Sequence, residues 1–278
     1  MQDVSSIDTS TTLFGRNYPV PFGLAPSAMQ KLAGGEGPRE SVPLIKRAEA
    51  AGYEALVLTV DTPVLRNRIN ERKTPLVLPP GLHLSNLSPP PHSSQTERKP
   101  TANRLLMDAR TGKKLTPSSS RRVAMKIILK GIMTPEDALL AVEHGADAIV
   151  VSNHGGRQLD EVCSTLEALP AIHSALATNV SERGKRNSIP VIFDGGVRHG
   201  ADVLEALAMG ADFVLLGRPV LWGLGYKGQE GVESVIHILE RELTKTMALT
   251  GVAEVEGIGK EYIGVKDTSM GGFGVSKL

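Results

Sequence analysis

Ala148-Ile-Val-Val-Ser-Asn-His-Gly-Gly-Arg-Gln-Leu-Asp160 joins a short apolar run to a polar turn. The run Ala148–Val151 has no polar alternation, the pattern of a strand buried on both faces of a sheet. Beyond its C-terminal tip stand an imidazole, His154, and a guanidinium, Arg157. Gly155 and Gly156 between them have no Cβ, so backbone and a flat ligand can approach closely there. Arginine grips a carboxylate through two parallel hydrogen bonds, and histidine handles a proton. Together they are suited to gripping a small carboxylate-bearing ligand and moving a proton on it.

The same grammar repeats along the chain. Phe22–Pro26 reads as a first strand. Ser41–Ala51 reads as a helix closed by Gly52. Ala55–Val60 is the next strand, followed by Asp61. Lys126–Leu129 leads into Lys130-Gly131. Thr134 is placed to cap a helix with Pro135 at its first position, ending before Gly145. A helix around Ser164–Leu176, a strand Pro190–Phe193, a helix Ala201–Met209, a strand Phe213–Leu216 and a helix Val232–Thr250 complete the series. Strands alternating with helices imply a parallel sheet with helices outside.

Each polar signature follows a strand: Asp61, Lys130, His154 with Arg157, Asp194 with Gly195-Gly196, and Gly217-Arg218. A TIM barrel places its chemistry at these strand ends, whereas a doubly wound sheet uses one crevice at a switch point. A regular barrel has eight strands, and only six are recognisable. The expected fold is therefore α/β, of the TIM (β/α)8-barrel type but incomplete. The expected organisation is one domain over residues 1–278, with an irregular Pro/Ser/Arg-rich loop at 79–122 and a flexible tail at 268–278.

Composition narrows the function classes. The chain has 278 residues and a net charge of +1, which suggests no nucleic-acid or membrane-surface partner. Apolar runs such as Ala55–Leu58 are far too short to span a bilayer. Cys163 is the only cysteine, which excludes an intrachain disulfide and argues against a cysteine-based metal site; the other histidines show no metal-ligand spacing, so no metal is expected. No cationic and apolar signal segment opens the sequence. Its last residues, Ser276-Lys277-Leu278, match the peroxisomal import tripeptide, so a peroxisomal location is expected, and otherwise a cytoplasmic one.

Asp194-Gly-Gly-Val-Arg198 and Gly217-Arg218 look like a phosphate cradle. Glycines expose backbone N–H groups, a following helix offers its positive end, and Arg198 and Arg218 add charge. The bland reading is a tight turn with surface arginines. Lys130 ends a very apolar strand, where a cation needs an anionic partner; a rim lysine paired with an aspartate is the simpler alternative. Asp61 is placed to hold His154 in one tautomer, or else to start the turn at Thr62-Pro63. Arg68 is a second carboxylate clamp or a solvated member of the basic stretch 66–72. Trp222 is expected to pack as a helix anchor.

At this point the residues resemble the FMN-dependent α-hydroxy acid oxidases and dehydrogenases, the glycolate oxidase and lactate oxidase family, and fungal members in particular. The resemblance rests on Ala25–Gln30, Thr59–Pro63, Leu78–Leu82, Ile128–Gly131, Ser152–Asp160, Asp194–Arg198 and Leu216–Pro219. It implies FMN as cofactor and conversion of a small 2-hydroxy acid to the 2-oxo acid, with O2 reduced to hydrogen peroxide in the oxidase branch. His154 is implied as the base, oriented by Asp61, taking either the hydroxyl proton or the α-proton. Arg157 and Arg68 are implied to bind the substrate carboxylate. Lys130 is implied at the pyrimidine edge of the flavin, with Ala28 backing the ring and Thr59 and Ser152 bonding to it. Asp194, Gly195, Gly196, Arg198, Gly217 and Arg218 are implied to hold the ribityl chain and phosphate.

The resemblance also shows departures. The family's N-terminal segment with an active-site tyrosine has no counterpart here. Two strands and two helices are absent where Lys31–Gly37 runs almost directly into the helix at Ser41. The segment before Lys126 is shortened to Thr116–Arg122. Losing two adjacent staves leaves two strand edges, which predicts a homo-oligomer by strand swapping or edge-to-edge pairing. It also leaves a second reading open: a catalytically impaired or repurposed barrel that binds FMN, phosphate or a partner subunit.

Overall fold

The computed structural model describes residues 3–26, 45–62, 124–179, 189–266 and 275–277. The 79–122 loop, Ala28 and Arg68 fall outside them. The chain divides into two compact units. One comprises residues 1–27, 57–61 and 127–278, and the other residues 28–56 and 62–126. In the second unit, residues 45–50 are helical. Gly52 follows at φ +81, the left-handed stop expected of a C′ glycine.

The first unit opens with a hairpin of β1 (Thr11–Leu13) and β2 (Arg16–Tyr18). Phe14 and Gly15 turn it with φ of 52° and 76°, the positive pair that matches the twist of two antiparallel strands. Six strands then form one sheet: β3 (Phe22–Leu24), β4 (Ala55–Thr59), β5 (Lys126–Ile132), β6 (Ala148–Val151), β7 (Val191–Asp194) and β8 (Phe213–Leu216). Their order is β3-β8-β7-β6-β5-β4. Pairing is parallel from β5 through β8 and between β8 and β3. First and last strands are thus neighbours, the closure a barrel makes. Among the described strands, β3 and β4, consecutive in chain order, stand at the two edges of this sheet.

Helices α1 (Pro135–Glu143), α2 (Thr165–Thr178), α3 (Gly200–Ala208) and α4 (Arg218–Thr250) follow β5 to β8 in turn. Thr134 caps α1 through Asp137 N at 3.2 Å, with Pro135 first, as the sequence implies. Ser164 and Glu167 close a reciprocal capping box on α2. All residues of β6 and β7 are buried, which explains their unbroken apolar runs. Leu239, Leu243 and Met247, each four apart on α4, are buried in the same core as Val203, Leu204 and Leu207 of α3.

Three elements differ from expectation. Strand β5 continues through Lys130 and Gly131 to Ile132, with a register shift against β6 between Lys130 and Ile132. The last helix begins at Arg218, not Val232, and bends at Lys227 (φ −140°) and Gly228 (φ 59°, ψ −134°). The bend brings Gly223 and Gly231 together, and a Cβ on either would strike the other's backbone. Within the 268–278 tail, Val275–Lys277 form a strand, β10, antiparallel to β9 (Gly264–Lys266).

At the opposite end of the sheet from the polar signatures, one device occurs twice. Asp147 and Asp212 each precede a strand, in Gly145-Ala-Asp and Gly210-Ala-Asp. Asp147 N donates to Ile127 O and its carboxylate accepts from Ile127 N, both at 2.8 Å. Asp212 does the same with Val191, at 2.8 and 2.7 Å. Each aspartate clasps both backbone groups of one residue on the adjacent strand, which fixes the register of β5 with β6 and of β7 with β8.

Candidate active site

Three strand ends meet in a buried polar cluster. Lys130, 4% exposed on β5, donates from Nζ to Ser152 Oγ at 2.7 Å and pairs with Asp194 Oδ2 of β7 at 3.1 Å. The same Ser152 Oγ accepts the backbone N–H of His154 at 3.1 Å. With two donors on its oxygen, the Ser152 hydroxyl keeps its own proton free to donate elsewhere. The lysine therefore has the anionic partner that burial demands.

Asp61 follows β4 and reaches His154 across the sheet. His154 Nδ1 lies 3.1 Å from Oδ1 and 3.2 Å from Oδ2. An ionised carboxylate only accepts, so Nδ1 is the donor of the pair, and in the neutral ring the lone pair then lies on Nε2. The turn that carries His154 is tightly wound: His154, Gly155 and Gly156 have φ of 59°, 65° and 73°. Left-handed φ is unfavourable for histidine, so surrounding contacts must hold it. Asn153 Oδ1 accepts from Gly156 N at 3.1 Å, and Asn153 Nδ2 donates to Cys163 O at 3.5 Å. Gln158 Nε2 donates to Asp61 O at 3.2 Å. Arg218 Nη2 donates to Gly155 O at 3.0 Å.

The structure thus brings together Asp61, Lys130, Ser152, His154 and Asp194, and ties Arg218 to the His154 turn. Thr59 ends β4 and is half-buried; Arg157 is exposed just after the turn. Gly195 and Gly196 carry φ of 104° and 85°, and a Cβ on Gly195 would press on Thr165 Oγ1. Arg198 is exposed with its guanidinium 5.6 Å from the Trp222 ring centre. Trp222 is 57% exposed, so it covers an arginine and does not anchor its helix in the core. Asn153 and Gln158 were missed as site residues by sequence reasoning. Both sit inside the stretch 152–160, where amides beside a glycine turn are a ready signal of side-chain bracing.

The chain matches the family model described as FMN-dependent dehydrogenase over residues 1–43 and 38–265. A 2-hydroxyacid oxidase of Dictyostelium discoideum is 36% identical over 318 residues, covering 94% of this chain and 77% of that protein. An L-lactate oxidase of Nostoc sp. is 46% identical over 226 residues, covering 79% of this chain and 59% of that protein. A solved mandelate oxidase with (S)-4-hydroxymandelic acid has a TM-score of 0.73 at 30% identity, covering 93% of this chain and 83% of that one. A mandelate oxidase variant solved with an FMN adduct has a TM-score of 0.70 at 31% identity.

The residues described fit FMN. Among the described residues, Asp194 Oδ1 is a buried acceptor with no hydrogen-bond partner, the kind of atom a polyol hydroxyl satisfies. Positions where a Cβ on Gly196 or Gly217 would stand have no atom of the described residues within 4 Å, at the ends of β7 and β8. Sequence match, barrel topology and this orphaned acceptor agree: the chain belongs to the FMN-dependent dehydrogenase family and is an oxidoreductase of the 2-hydroxy acid oxidase type.

Proposed function

We propose that this chain oxidises a small 2-hydroxy acid to the 2-oxo acid while O2 is reduced to hydrogen peroxide. The observation that carries this reading is the His154 ring held by both oxygens of Asp61, which leaves Nε2 as a directed proton acceptor. FMN, when bound, supplies the two-electron acceptor. Lys130 holds a buried positive charge beside Ser152 and Asp194, where it favours negative charge developing nearby. Asp194, Gly195, Gly196, Arg198, Gly217 and Arg218 would hold the FMN polyol and phosphate, and Thr59, Ser152 and, by the family resemblance, Ala28 would contact its ring. His154 takes the substrate proton, and its positive charge is stabilised by Asp61. Arg157, with Arg68, binds the substrate carboxylate.

The test is anaerobic addition of glycolate, lactate and longer 2-hydroxy acids to the yellow FMN-loaded protein. Bleaching by at least one acid is expected, and His154→Gln should slow it by about 10²–10⁴-fold. Absence of bleaching by every acid in a protein that remains yellow overturns the reading. That result would favour the second reading, a barrel that binds FMN without turnover, which the edge positions of β3 and β4 support.

A further inference from the structure

Gly131 has no role in the chemistry above, yet its surroundings are the most restrictive at the site. Its φ is +109°, a conformation side-chain-bearing residues rarely adopt. A Cβ there would lie 2.6 Å from Asp61 Cβ, 2.8 Å from Asp61 Cγ and 2.9 Å from Asp61 N. Ordinary contact begins at 3.4 Å, so Asp61 would have to retreat by about 0.8 Å. It is not free to do so. Val60 N is bonded to Lys130 O at 2.8 Å on one side, and Asp61 O is held by Gln158 Nε2 at 3.2 Å on the other. The two contacts of the Asp61 carboxylate with His154 Nδ1, at 3.1 and 3.2 Å, have little room to lengthen before they leave hydrogen-bonding reach.

We infer that Gly131 is a positioning residue for the Asp61–His154 pair, and that the irregularity in β5 exists to seat Asp61. Its catalytic meaning rests on the reading of His154 as base; its structural content does not. The register shift between Lys130 and Ile132 turns Gly131 out of the regular ladder. Adjacent residues then serve two separate ends: Lys130 faces Ser152 and Asp194, while Gly131 gives its missing side-chain volume to Asp61. The Lys-Gly pair thus places an ammonium and makes room for a carboxylate within one peptide unit.

The experiment uses the full chain with 15N-labelled histidine, with the His154 resonance assigned by its loss in His154→Gln. Wild type should show a single tautomer with the proton on Nδ1. Gly131→Ala should show mixed tautomers, and Asp61→Asn should do the same. In the FMN-loaded protein, Gly131→Ala should slow bleaching by a 2-hydroxy acid at least tenfold, and the double variant should be no slower than Asp61→Asn alone. Retention of the single tautomer in Gly131→Ala overturns the inference, as does a multiplicative loss in the double variant. If Gly131→Ala is insoluble, Gly131→Ala with Asp61→Gly must be more soluble than the single variant, because the contacts at 2.6 and 2.8 Å are then gone and only the one with Asp61 N is left. Equal insolubility of the two shows that the Asp61 side chain is not what the glycine makes room for, and the inference falls. Because the tautomer is read without turnover, a wild type that bleaches with no acid leaves this test intact.

Discussion

Lys130→Met isolates the buried ion pair at the centre of the site. The methionine keeps most of the lysine stem's volume but leaves the Asp194 carboxylate, 9% exposed, without its cation. At 3.1 Å and an effective dielectric constant near 20, the lost attraction is about 5 kcal/mol before desolvation is counted. Breaking a buried pair by removing one partner costs roughly 3–5 kcal/mol. The hydrogen bond to Ser152 Oγ goes as well, leaving that oxygen with the His154 N–H alone. The expected loss is therefore about 3–5 kcal/mol, a large part of the roughly 5–15 kcal/mol of a typical domain. Guanidinium denaturation followed by far-ultraviolet circular dichroism, without added FMN so that cofactor linkage does not contribute, measures it. Lys130→Met/Asp194→Asn should recover roughly 2 kcal/mol relative to the sum of the single variants. A single-variant cost under about 1 kcal/mol, or strict additivity, would show that the pair is solvated in solution and refute the reasoning.

Two further outcomes follow from the helices. Hydrogen bonds from the Ser164 backbone, then its hydroxyl, hold the Glu167 carboxyl below the usual carboxylate range. Because the folded state favours the charged form, this contribution is complete above the unfolded carboxylate's pKa and lost as pH falls through the lower folded value. The stability gap between wild type and Glu167→Gln should be open at about pH 6 and narrow steadily toward about pH 3 in denaturation series. Gly231→Ala should destabilise the chain by about 1–3 kcal/mol, since its Cβ would meet the Gly223 carbonyl where α4 folds back. A thermal melt unchanged by that substitution would mean the bend opens freely.

Strand ends and helix caps were legible in the sequence because each is set locally. Apolar runs at 148–151 and 213–216 are bounded by Gly and Asp, and Thr134, Ser164, Gly145 and Gly210 mark helix limits through their own backbone needs. The first half of α4 was not legible. Gly223, Gly225 and Gly228 are poor helix formers, and Leu221, Trp222, Leu224 and Tyr226 are all exposed, so its apolar residues trace no buried face. The β1–β2 hairpin was missed because Phe14-Gly15 stands where Asn-Gly would announce such a turn. At the site, types of residue were readable, but their partners were not. That Lys130 meets Asp194, or that Gly131 lies behind Asp61, depends on which strands are neighbours, and no local pattern encodes it.

The paired aspartate clasps at the floor of the sheet bear on how a barrel can lose part of its wall. Asp147 and Asp212 measure each strand against its immediate neighbour, using backbone groups of Ile127 and Val191 alone. Alignment in this arc is thus copied from one strand to the next and needs no completed circumference to enforce it. An ancestor that shed two staves elsewhere would keep the heights at which Lys130, His154 and Asp194 emerge. Such a scaffold can be shortened by whole units while its chemistry stays level.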